Sequence, residues 1–258
     1  MRLPEWIGAD LVPRRTCPYG LWRSIRGRKA IYIEFVEFVA DNFDDLAEAF
    51  IEHLQLVGVS MAVAIFIALA IGLSVFERDR LAQPILTVFG IILTIPSYAA
   101  FAFLLPFTGL GFTSAVIVLI AYAQLPILRN TITGLREIDP AIVESGVGMG
   151  MGRAQLLFRV QLPMALPVIM AGIRVSTVMI VGIAAIAAII RAGGLGVFIF
   201  RGIARTSNDL VLMGALSIAA IALFVDYVFS LIERYSVSPG LVPRKRAWWR
   251  RLRGGEPA

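Results

Sequence analysis

Long apolar stretches alternate with short polar breaks along this chain, and the alternation predicts its elements. Residues 54–76 hold 23 positions without a charge. As a helix they rise about 35 Å, enough to cross hydrocarbon. Further apolar segments at 82–107, 112–128, 167–190 and 210–232 bring the expected total to about five transmembrane helices. Glu77-Arg78-Asp79-Arg80 makes a charged loop after the first segment, and Gly109 and Gly111 mark a turn before the third. Pro96, in Thr94-Ile95-Pro96-Ser97, predicts a kink in the second, because proline removes a backbone hydrogen bond. The fold class is all-α, a polytopic membrane protein, with no visible internal repeat.

Two segments depart from this pattern. Over 31–53 the acids Glu34, Glu37, Asp41, Asp44, Asp45, Glu48 and Glu52 share about one third of a helical wheel. Phe35, Phe38, Phe43, Leu46 and Phe50 lie opposite. The reading is an amphipathic helix, too acidic to be a span, lying along the membrane or against the transmembrane core. Anionic lipid would repel its acidic face, which favours packing against protein.

The other departure is a glycine-punctuated insert at 129–167. Asp139-Pro140 is a helix start, with an acceptor side chain at the N-cap and a proline at N1. A short helix over 141–149 follows, weakened by about 1 kcal/mol at each of Gly146 and Gly148. Gly150 and Gly152 predict a sharp turn with positive φ. A second helix, over 153–161, should end before Pro163, whose ring disfavours the α region for the residue ahead of it. Helix, corner and helix form a unit suited to a groove on a partner; the plain alternative is a solvated loop.

Composition narrows the class. Of 258 residues, 58% are apolar and 16% charged, and the mean hydropathy is +0.80. These values place the chain among membrane proteins. A single cysteine, Cys17, excludes an internal disulfide, and a single histidine, His53, excludes a histidine-based metal cluster. Lys29 and Lys245 each follow an arginine, so no phosphate-cradling G-x-x-x-x-G-K-[ST] loop exists and no cofactor is expected.

The net charge of +6 comes largely from the ends. Residues 1–30 carry seven basic residues and three prolines and read as a poorly ordered tail. The tail at 236–258 contains PRKRAWWRRLR, where basic residues beside Trp248 and Trp249 suit a lipid surface rather than nucleic acid. Arginines also set orientation. Arg78, Arg80, Arg129, Arg136, Arg153, Arg159 and the C-terminal group fall on one side, so the positive-inside rule puts the insert and the C-terminus in the cytoplasm. Five spans then leave the basic N-terminal tail outside, a conflict with the same rule.

Some single residues carry candidate roles. Arg174 lies seven positions past Pro167, about 10 Å into its span, and reads as snorkelling to the interface. Lining the pathway or bracing the insert are its functional alternatives. Asp226 is read in the same way. Pro96, Ser97, Tyr98, Tyr122 and Gln124 are candidates for a solute path, since tyrosine faces suit a cation; packing is the plainer reading of these aromatics. Arg191-Ala192-Gly193-Gly194-Leu195-Gly196 has no strand and no lysine, which makes it a flexible corner rather than a phosphate loop. Pro96 and Gly109 are read as flexible points.

Glu144-Ser145-Gly146, three residues, Gly150, nine residues, then Val160-Gln161-Leu162-Pro163 resembles the E-A-A-x3-G-x9-I-x-L-P signature of ATP-binding-cassette (ABC) importer permeases. Ser-Gly stands for Ala-Ala and Val for Ile. Thr94 to Ser97, Leu125 to Thr131, Gly148 to Met151, Leu162 to Arg174, Gly193 to Gly196 and Phe198 to Ile203 resemble the permeases of osmoprotectant importers, over about 70% of the chain. The resemblance implies a MetI-like permease that moves glycine betaine, choline, carnitine or proline and is not itself an enzyme. It implies coupling through Glu144, Ser145, Gly146, Gly150, Met151, Gly152, Val160, Leu162 and Pro163 to a cytoplasmic ABC ATPase dimer. A second permease subunit, an extracytoplasmic solute-binding protein and the lipid of a prokaryotic cell membrane are the other implied partners. The chain stops too soon for a fused receptor, so a separate one is expected. A permease for another small solute, such as an amino acid, is the alternative. A secondary transporter is a poorer fit, because it would normally show repeats.

Overall fold

In the computed structural model residues 28–236 are described. Most of both basic tails, read at 1–30 and 236–258, lies outside the described residues. The chain divides into two units after Asp44. Helix α1 (Arg28–Asp41) belongs to the first. It stops at a turn on Asn42, whose side-chain amide donates to the Phe38 carbonyl at 2.8 Å.

Helix α2 (Phe43–Val75) is unbroken for 33 residues. The amphipathic helix expected over 31–53 is therefore two pieces, and the second opens the long helix that continues into the first apolar segment. The reason lies on the buried face. Ala49, His53, Leu56, Val57, Ser60, Met61, Ala64, Ala68 and Gly72 recur every three or four residues across the expected boundary at 53/54. A single stripe is packed throughout, and the acids Asp44, Asp45 and Glu48 stay on the exposed side.

The second apolar segment is more sharply broken than a kink. Helices α3 (Asp79–Thr94) and α4 (Ser97–Thr108) meet at 99°. Pro96 forces Ile95 out of the α region, to ψ 130°, and the chain leaves the helical path there. Gly109 and Gly111, at φ of 75° and 114°, turn the chain into α5 (Phe112–Arg136), which continues past the expected end at 128.

Next come α6 (Pro140–Gly148), α7 (Arg153–Leu156), a π-helical turn (Leu157–Gln161) and α8 (Leu162–Ile186). The expected stop before Pro163 is absent. The wider π turn opens the hydrogen-bonding ladder where the proline has no N–H to give, so the helix passes through. A 3₁₀ turn (Ala187–Ile190), α9 (Gly196–Ala204) and α10 (Asn208–Ser236) complete the described chain. No strand occurs among the described residues. Among the described residues four helical runs are long and apolar enough to cross a membrane, or five when the bent α3–α4 pair counts as one.

The core is built around α5 and α8. Their backbones approach so closely that a Cβ on Gly172 would lie 2.6 Å from Asn130 Cβ and 2.9 Å from the Pro126 carbonyl oxygen. At Gly134 the same atom would lie 3.0 Å from Val168 Cβ. The two helices flanking the glycine-punctuated insert are thus held as one packed pair.

Candidate functional site

The insert folds into a closed corner. Asp139 caps α6 by accepting the Ala141 N–H at 2.9 Å, with Pro140 at the first helical position, as the sequence predicts. At the other end Gly150 takes φ +81°. Its N–H donates to the Val147 carbonyl at 2.9 Å, and the Met151 N–H reaches the Gly146 carbonyl at 3.1 Å. This paired closure satisfies carbonyls that the helix end would otherwise leave free. Gly152 differs from the expectation, with a negative φ of −70°, so one left-handed residue suffices for the turn.

Packing fixes the corner from inside. Gly146 is buried, and a Cβ there would sit 2.6 Å from Leu156 Cδ1 and 3.6 Å from the Met151 sulfur. Leu156 is itself buried, so α6 lies across the start of the following helix. Outward, the corner presents Glu144 and Ser145 beside Val147 at 58% exposure and Met149 at 71%, with Phe158 at 60% on the π turn. Ser145 is tied down by its hydroxyl, which donates to the Ala141 carbonyl at 2.7 Å. Val160 and Leu162 are half-buried, Pro163 is exposed, and Gln161 between them is buried. The structure thus brings Glu144, Ser145, Gly146, Gly150 and Met151 into one compact unit. Val160, Leu162 and Pro163 belong to the stem that carries it.

Beneath the corner lies a cleft of about 330 Å³ lined by Phe76, Glu77, Asp79, Leu135, Arg136 and Gln161. Arg136 Nε donates to the Phe76 carbonyl at 2.6 Å, and Nη1 lies 2.6 Å from Asp79 Oδ1. Neither Arg136 nor Asp79 stands out in the sequence as a site residue.

A second charged group lies between α8 and α10. Arg174 holds Asp226 through Nε to Oδ1 at 2.6 Å and Nη2 to Oδ2 at 2.8 Å, while Nη1 reaches Glu233 Oε2 at 3.3 Å. A cavity of about 500 Å³ opens beside the group, walled by Ala171, Val175, Val178 and Met179. Snorkelling alone does not describe Arg174: it is engaged with two carboxylates on another helix.

The remaining pathway candidates separate into two sets. Tyr122 is buried, and its hydroxyl donates to the Ile95 carbonyl, the last one before the break at Pro96. Gln124 is also buried, with its amide donating to Ala64 and Ile120 carbonyls at 3.3 and 3.2 Å. Both therefore pack within the chain. Pro96 and Tyr98 are exposed at the α3–α4 break and Ser97 is half-buried there. The corner after α8 is tied to α2. The Gly194 N–H donates to Glu52 Oε2 at 2.8 Å, and His53 Nε2 lies 3.2 Å from the Val181 carbonyl oxygen.

Comparison with known proteins fits this geometry. The model of the family described as "Binding-protein-dependent transport system inner membrane component" matches residues 58–235. The choline transport system permease protein OpuBB of Bacillus subtilis is 36% identical over 206 residues, covering 80% of this chain and 95% of that protein. The carnitine transport permease protein OpuCB of Listeria monocytogenes is 38% identical over 211 residues, covering 82% and 96%. The osmoprotectant import permease protein OsmW of Salmonella typhimurium is 37% identical, covering 78% and 96%. Among solved structures, the inward-facing MetNI methionine ABC transporter superposes with a TM-score of 0.69 at 22% identity, over 75% of this chain and 96% of its own. The fold is that of an ABC importer permease, a multi-pass membrane subunit. The chain belongs to the family of binding-protein-dependent transport system inner membrane components, and its function is transport.

Proposed function

We propose that this permease imports a compatible solute, glycine betaine, choline, carnitine or proline, using ATP hydrolysed by cytoplasmic subunits docked on the 129–167 insert. The carrying observation is the closed corner at Gly150, which holds Glu144, Val147 and Met149 outward on a unit fixed by Gly146 and Leu156. An exposed apolar patch on a rigid short helix fits a groove on a partner, as helix-in-groove recognition requires. The solute class is supported by the names of relatives that the chain matches over most of their length.

In this reading the insert and the C-terminus are cytoplasmic, which agrees with the arginine distribution. A second permease, the same or a paralogue, completes the path, and an external binding protein delivers the solute. When the ATPases close, the corner moves with them and α5 and α8 follow as a packed pair. The spans then switch between discrete packed arrangements. The chain supplies the gated path and the joint. The test is uptake by the reconstituted importer with its cognate receptor, competed by betaine, choline, carnitine, proline and an unrelated amino acid. Competition by one or more of the first four is expected. Competition only by the unrelated amino acid assigns a different solute and overturns the osmoprotectant reading.

A further inference from the structure

We propose that Arg136 is a positioning residue that carries motion of the ATPase-docking corner into the α2–α3 hairpin, a role resting on the docking reading above. The argument starts from where the guanidinium sits. Phe76 follows the last residue of α2, and its carbonyl lies beyond the reach of that helix's own N–H groups. Asp79 is the first residue of α3. Arg136 meets both, at 2.6 Å each, so one cation faces the negative end of α2 and the carboxylate at the positive end of α3.

The side chain suits that double task. Two donors on a planar fork are fixed relative to one another, which a lysine ammonium on a flexible stem does not reproduce. Arg136 itself ends α5, two residues after Gly134, where α5 presses against Ala165 and Val168 of α8. The same cleft is lined by Gln161, the last residue of the π turn that leads away from the corner. Three elements thus converge on one small space: the end of α5, the stem of the corner and the α2–α3 hairpin. Displacement of the corner moves α5 and α8 together, and Arg136 pulls the hairpin along.

The alternative is an ordinary structural ion pair, and the two differ in what they disturb. A structural pair affects stability. A strut affects how much solute moves for each ATP spent. The experiment places the full importer, with ATPases and receptor, in lipid vesicles and measures solute imported per ATP hydrolysed, together with the amount of ATPase retained. Wild-type vesicles that retain no ATPase overturn the docking reading and the strut with it. With a coupled wild type, Arg136→Ala is expected to keep its ATPase and still hydrolyse ATP while importing about tenfold less per ATP, a change of the size that coupling residues produce. Arg136→Lys should fall between the two. Asp79→Asn, at a side chain 80% exposed, should shift the ratio in the same direction and replaces Arg136→Ala if that variant does not fold. An unchanged ratio overturns the proposal. Loss of the ATPase from Arg136→Ala vesicles also overturns it, because Arg136 would then belong to the docking surface.

Discussion

Arg174 and Asp226, 52 positions apart in sequence, meet as a two-point pair with both contacts at 2.8 Å or less. Glu233 completes the group, leaving one cation against two carboxylates. The imbalance gives an ordered prediction. Arg174→Leu leaves the two carboxylates of α10 turned toward α8 without their cation, whereas Asp226→Leu leaves Arg174 with Glu233. Thermal unfolding in detergent should show the larger fall in Tm for Arg174→Leu. A larger fall for Asp226→Leu would mean that the charges interact too weakly to set the order.

The corner predicts opposite outcomes for two of its glycines. At Gly146 an added methyl clashes with the end of the flexible Leu156 side chain, which can turn aside, and meets the Met151 sulfur only at ordinary contact distance. At Gly150 any side chain must adopt φ +81°, where a β-branched residue is strongly disfavoured. Gly146→Ala should therefore keep ATP-driven uptake near wild type, and Gly150→Val should abolish most of it with membrane insertion intact. Uptake by vesicles, with insertion checked by protease accessibility, decides the matter.

The α5–α8 contact predicts a graded response. A Cβ on Gly172 runs into backbone at 2.9 Å, whereas on Gly134 it meets a valine side chain first, at 3.0 Å. Backbone cannot turn aside. Gly172→Ala should cost about 1–3 kcal/mol, the range for overpacking, and Gly134→Ala less. Equal loss for both, measured by thermal unfolding, would contradict this ranking.

Substitutions at Tyr122 and Glu52 probe two part-buried contacts between a side chain and the backbone. Tyr122→Phe removes the donor to the Ile95 carbonyl at the Pro96 break and should cost about 0.5–1.5 kcal/mol, the net worth of a typical intramolecular hydrogen bond. Glu52→Gln keeps an oxygen for the Gly194 N–H and should be milder than Glu52→Ala. The same unfolding assay reads both pairs.

Much of this was legible beforehand, for identifiable reasons. Span number follows from apolar length. The corner follows from Asp139-Pro140 and Gly150, residues whose local chemistry acts within a few positions. What the sequence hid is longer-range. Nothing near Arg174 points to Asp226 and Glu233, and nothing near Arg136 points to Phe76, because such partners are chosen by how helices pack. Pro163 misled for a different reason: proline stops a regular helix, but a π turn ahead of it removes the clash. The acids of 31–53 misled as well, since a charge count does not say where along a helix the bilayer begins.

That last point has a geometric sequel. At 1.5 Å per residue α2 is about 50 Å long, well over the roughly 30 Å of hydrocarbon it has to traverse. Even leaning by about 40° it climbs some 38 Å, so tilt alone does not absorb the excess. An end that emerges into water as a post accommodates the remainder. The turns bearing Asp44, Asp45 and Glu48 are exposed on the fold, and as that post their charges would cost little, since water would solvate them.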